Sequence, residues 1–303
     1  MTEFIGFPRP DGSVGIRNHV LLIGLDQAGV NLCHKVAGVV KETLLVFSGP
    51  EGGGVLSEVV RHPNAAGSVV VGEGIEEPDK DSLISDLERS GKPHGVIDID
   101  GLGFMEAMTK ATQAAIHIVQ DVSTHRRELV RFSKLLPVLF HTPDDLRVEV
   151  LVGFLRLLME ENGRCLWVEK GAKGGKVMNP EIKKALAGDV KIGQAPGADP
   201  GVYRYTGPVS ERGILKTVLG SGAQVMAFPA GPRRFMANAL IPGVSFSIGQ
   251  DLGSDQICDL DLGQKVDKEL STEETGLLLF SEILATASGK LTGDEVLGDV
   301  LII

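Results

Sequence analysis

Residues 19–25 read HVLLIGL, a short apolar run closed by polar residues, and this run decides the fold. A run this short, apolar on every position, fits a strand covered on both faces. Residues 29–41, GVNLCHKVAGVVK, follow with helical spacing, and 43–47, TLLVF, form the next strand. Beyond a glycine-rich turn at 48–54 come helical VLSEVVRH at 55–62, the strand SVVVGEG at 68–74, a helix near 80–90 and the strand GVIDID at 95–100. Strands and helices alternating at this interval predict parallel βαβ units. Ligands usually bind at the carboxyl ends of such strands, here the loops 26–29, 48–54, 72–77 and 100–103.

Residues 105–135 read as helical, and 148–162, VEVLVGFLRLLMEEN, as an amphipathic helix opening a second α/β unit. Strand-like segments at 164–170, 173–176, 190–195, 224–231 and 244–249 supply its sheet. A helix over 275–289 and a closing strand, EVLGDVLII, complete it. The predicted fold is α/β with two mainly parallel-sheet, Rossmann-like units, at residues 1–125 and 126–303.

Composition narrows the function. A formal charge of −10 and a pI near 5.2 disfavour nucleic acid and anionic membranes, whose phosphates such a surface repels. A small anion needs only a local basic pocket. Three scattered cysteines, Cys33, Cys165 and Cys258, make neither a disulfide framework nor a zinc motif. Neither a signal-peptide core nor an apolar run of spanning length is present, so a cytoplasmic location is expected.

Several polar groups could hold or transform an organic acid. Gly52, Gly53 and Gly54 sit between a strand and a helix, where backbone N–H groups can cradle a carboxylate. The turn matches neither a P-loop nor GxGxxG, although glycine-rich strand ends leave nucleotide binding as a third reading. Glu76 stands out from the acidic run after the third strand as a base or hard-metal ligand. His62, in HPN at 62–64, is a base, a metal ligand or a polar helix end.

GFPRPDGSVGIRNHVLLI at 6–23 resembles the opening of the large domain of the altronate/galactarate dehydratase family, which includes the large subunit of sulfolactate sulfo-lyase. RHPNAAGSVVVGEG at 61–74, GSGAQVMAFPAGPRR at 220–234 and ATASGKLTGDEVLGDVLII at 285–303 are similar to further family segments in the same order. The resemblance implies a lyase that eliminates water or sulfite from a small hydroxy-carboxylate, with iron(II) as its divalent metal. It implies Arg17, Asn18, Asn64 and Arg233 as substrate-binding groups beside the three glycines, and His62, Glu76 and Lys173 as acid/base groups. A small β-rich partner subunit is expected from the two-subunit members, and further copies of the chain as an oligomer.

The chain also departs from the family pattern. Gly49 and Gly53 stand where HxxGCG has its histidine and cysteine, Ile75 replaces the cysteine of GLGCE, and Gly29 that after the first strand. Lys170 replaces the cysteine of CxxKGG, ahead of Lys173. An iron site of thiolates and imidazoles loses its ligands there. A non-catalytic paralogue or subunit that binds a small organic acid is therefore the alternative.

Overall fold

Buried strands dictate both sheets of the computed structural model, which describes residues 2–47, 53–75, 81–141, 148–169, 179–207, 210–230, 239–247, 258–262, 270–297 and 301–302. The chain divides into two units, Gly6–Glu128 with Val300–Ile303, and Met1–Ile5 with Leu129–Asp299. It opens with β1 (Glu3–Pro8), whose end pairs antiparallel with β2 (Val14–Gly15).

In the first unit, β3 (His19–Gly24), β4 (Thr43–Phe47), β5 (Ala65–Gly72) and β6 (His94–Asp98) form a parallel sheet in the order β4-β3-β5-β6. The late strand β15 (Leu301–Ile302) extends it beside β4, also in parallel. Every residue of β5 is buried, which explains its uninterrupted apolar and small-residue sequence. Asp26 caps α1 (Gln27–Val39), its carboxylate accepting from the Gly29 N–H at 2.7 Å. Helices α2 (Gly53–Arg61) and α3 (Asp81–Ser90) supply the remaining crossovers, and α4 (Phe104–Ser123) follows β6. Ala107, Ala111 and Ala115 line the inner face of α4, and with Leu32, Cys33 and Val36 of α1 they bury Val20, Leu22, Val69 and Val71 of the sheet.

The second unit holds a seven-stranded parallel sheet. It comprises β8 (Pro137–His141), β9 (Arg164–Glu169), β10 (Leu186–Val190), β11 (Gly201–Tyr205), β12 (Val225–Pro229), β13 (Gly243–Ser247) and β14 (Leu260–Asp261). Their order is β10-β11-β9-β8-β12-β13-β14. Here α5 (Val148–Glu160) crosses α8 (Thr272–Ala287) at Gly153 and Gly276, where a Cβ on either would meet the other's backbone. The helices α6 (Pro180–Lys184) and α7 (Glu211–Gly220) and the short α9 (Gly293–Leu297) complete the unit.

The fold is α/β with two parallel-sheet units, as the sequence predicts, but several elements differ. The helix expected over 105–135 stops at Ser123, where Ser123 and Thr124 turn their hydroxyls back to the carbonyls of Gln120 and Asp121. The chain then extends as β7 (Glu128–Arg131). The closing strand shrinks to Leu301–Ile302 because Glu295 accepts from the Thr292 N–H at 2.9 Å, opening α9 instead. Strand-like 173–176 lies outside the described residues. No described helix is long and apolar enough to cross a membrane.

Candidate functional site

Arg17, Asn18, His62 and Asn64 come together at the amino ends of β3 and β5, bound into one network by Arg9. The Arg9 guanidinium donates to Pro63 O at 2.7 Å, Asn18 Oδ1 at 2.8 Å and Arg17 O at 2.7 Å. Asn64 Oδ1 accepts from the Ile16 N–H at 2.9 Å, and Asn18 Nδ2 donates to Val122 O at 2.9 Å. Lys92 Nζ donates to the carbonyls of Val60, Arg61 and His62 at 3.2, 3.0 and 2.7 Å, closing the carboxyl end of α2. Arg9, Arg17, His62, Asn64 and Lys92 are each at most 6% exposed. Burial lowers Arg9 to about 10, and burial with the nearby Arg9 charge lowers Lys92 to about 7. Sequence reasoning took Arg9 only as a motif position and passed over Lys92.

The opposite, carboxyl ends of the same strands carry a second polar group. Asp26 accepts from the Gly29 N–H with one oxygen and from the Glu73 N–H with the other, both at 2.7 Å. Asp98, closing β6, accepts from the N–H groups of Gly74 at 3.2 Å, Ile75 at 3.0 Å and Asp100 at 2.9 Å. Two aspartates thus pin residues 73–75, the stretch that leads into Glu76. Ile75 stands beyond the carboxyl end of β5 and His62 before its amino end. The eight residues of β5 between them span roughly 26 Å at the usual strand rise.

Glu76, Gly52, Lys173 and Arg233 lie outside the described residues, while Gly53 and Gly54 begin α2. Lys173 follows β9 and Arg233 follows β12 along the chain, the two strands that flank β8.

All seven histidines and all three cysteines are among the described residues. No three or more of the described His, Cys, Asp and Glu side chains come together to hold a metal. Burial, with Asp26 nearby, pushes the Cys33 thiol up to about 12, and burial alone raises Cys165. Cys258 is tied by its thiol to Leu260 O at 3.2 Å. At Gly29, where the family pattern has a cysteine, a Cβ would run into the Val71 carbonyl. These residues do not fit an iron(II) centre of thiolates and imidazoles.

Residues 6–123 match a family model described as D-galactarate dehydratase/Altronate hydrolase, second domain. Residues 175–303 match one described as D-galactarate/Altronate dehydratase, C-terminal. The (2R)-sulfolactate sulfo-lyase subunit beta of Chromohalobacter salexigens is 29% identical over 142 residues, covering 44% of this chain and 36% of that protein. The chain thus matches little more than a third of that relative's length. Two successive domains of one family account for most of the sequence, and the chain belongs to the galactarate dehydratase/altronate hydrolase family.

Proposed function

We propose that this protein is a lyase that removes water or sulfite from a small hydroxy-carboxylate. The observation that carries the reading is the pair of family domains in their proper order. Such an elimination needs a base for the proton beside the carboxylate and a donor for the leaving group. In the first unit, Glu76 is proposed as an acid/base group, with Gly52, Gly53 and Gly54 offering N–H groups to a carboxylate. In the second, Lys173 is proposed for proton transfer and Arg233 for carboxylate binding. Arg17, Asn18, His62 and Asn64 frame the amino ends of the first sheet, a placement that favours a supporting part for them. The sulfo-lyase relative is named as a subunit, which supports assembly with a small partner chain or with further copies.

Incubating the purified chain with D-galactarate, altronate and (2R)-sulfolactate, with and without added iron(II), tests the reading. Release of a keto-acid or of sulfite from one of them is expected. A second reading, a binding protein for small organic acids, is favoured by the lack of a metal-holding cluster among the described residues. Saturable binding without product would establish it. Arg17→Ala tests the binding role of that residue: affinity should fall by about 1.5–3 kcal/mol if Arg17 touches a carboxylate. A lowered melting point with unchanged affinity assigns it to the frame.

A further inference from the structure

We infer that His141 and Glu169 form a proton-transfer pair for an organic-acid ligand at the carboxyl edge of the seven-stranded sheet, an assignment that rests on the lyase reading above.

Position singles out His141. Of the other histidines, His19 and His94 begin their strands, His62 precedes one, His34 and His117 lie on helices, and His125 follows α4. His141 alone closes a parallel strand at its carboxyl end. Its register partner on β9 is Glu169, which closes that strand in turn. Register partners on parallel strands share a face, as do positions two apart on one strand. Trp167 is therefore on the face of Glu169, and the His141 ring rests against the Trp167 ring, 5.4 Å between centroids at 39°. Trp167 is 1% exposed whereas His141 and Glu169 are half-buried, so a fixed aromatic floor carries a reachable pair.

Topology places this pair where ligands collect. The chain leaves β8 for β9 on one side and later returns to lay β12 on its other side. The strand order reverses there, and in open α/β sheets ligands bind outside the carboxyl ends at such a reversal. Arg204, register partner of Trp167 on β11, forks onto Asp189 at 2.9 and 3.1 Å and also feels the charge of Glu169.

In the reaction the unprotonated His141 ring, in place of Glu76 or Lys173, takes the proton from the carbon beside the ligand's carboxylate. The C–H electron pair becomes the new C=C bond as the C–O bond to the neighbouring hydroxyl breaks. The departing hydroxide takes the proton back from the imidazolium and leaves as water. Glu169, the register neighbour on β9, acts on the imidazolium through its charge.

The test uses the full chain as wild type, His141→Gln, Glu169→Gln and Glu169→Asp, with NMR of labelled histidine rings. The His141 ring should titrate at higher pH in wild type than in Glu169→Gln, and added D-galactarate or (2R)-sulfolactate should shift its resonance. On an acid that is turned over, His141→Gln should lower kcat by about 100-fold or more. Glu169→Gln should lower kcat with KM little changed, and Glu169→Asp should recover part of it. Identical His141 titration in wild type and Glu169→Gln overturns the pair, as does full turnover by His141→Gln. If wild type turns over none of the acids, the lyase reading falls. The ring titration and its response to the acids then decide the pair independently.

Discussion

The two ends of the first unit's sheet are built on opposite principles. At the amino ends, the three buried cations Arg9, Arg17 and Lys92 and the amides of Asn18 and Asn64 bond to one another or to the backbone, with Arg9 as hub. At the carboxyl ends, Asp26 and Asp98 reach out to hold loop N–H groups near solvent. A dense polar motif can thus encode a frame, and sparse, scattered carboxylates can hold the loops beside a proposed site. Cutting each end in turn should separate them by magnitude.

The largest loss is expected from Arg9→Ala, which strands two carbonyls and Asn18 Oδ1. Chemical denaturation should show about 3–4 kcal/mol of destabilisation, the cost of orphaning several buried partners of a charge. A change below 1 kcal/mol would remove the hub from the account. Gly29→Cys restores the family's residue where α1 touches the Val71 carbonyl. About 2 kcal/mol should be lost to overpacking, and a variant as stable as wild type shows that α1 yields there.

Asp98→Ala should cost only about 1 kcal/mol, because half-exposed N–H groups can turn to water. Its signature is local: faster amide hydrogen exchange at Gly74 and Ile75 with the amino-end network unchanged. The subtlest effect concerns pH. Lys92 is lowered from 10.5 to about 7 in the fold, so between these values the unfolded chain holds a proton that the folded chain has released. Stability attributable to Lys92 is therefore greatest above pH 10.5 and lost as pH falls through about 7. The stability of wild type minus that of Lys92→Met should rise across urea melts at pH 7, 8 and 9. A flat difference places the Lys92 titration outside this window.

The central strands β3 and β5 were legible because burial on both faces leaves an unbroken run of apolar and small residues. TLLVF is β4 to the residue, and GVIDID contains most of β6. By contrast β1 was not read, since EFIGFP alternates exposure and ends on proline. Nor was β8, which starts on Pro137 between the segments read as helical at 105–135 and 148–162. The motif around Arg17 and His62 was legible as a motif. Which end of a strand it serves depends on hydrogen bonds between residues some 50 positions apart, which no local pattern carries. The pairing of His141 with Glu169 is likewise a matter of strand register.

The strand β15 has a consequence for how the protein is made. Residues 301–302 lie beside β4, yet Leu129–Asp299 of the other unit are translated between them. Until they emerge from the ribosome, β4 waits with an open flank, able to recruit a strand from another nascent chain. Order of synthesis and order of assembly are thereby uncoupled, and a strand made late completes a sheet begun early.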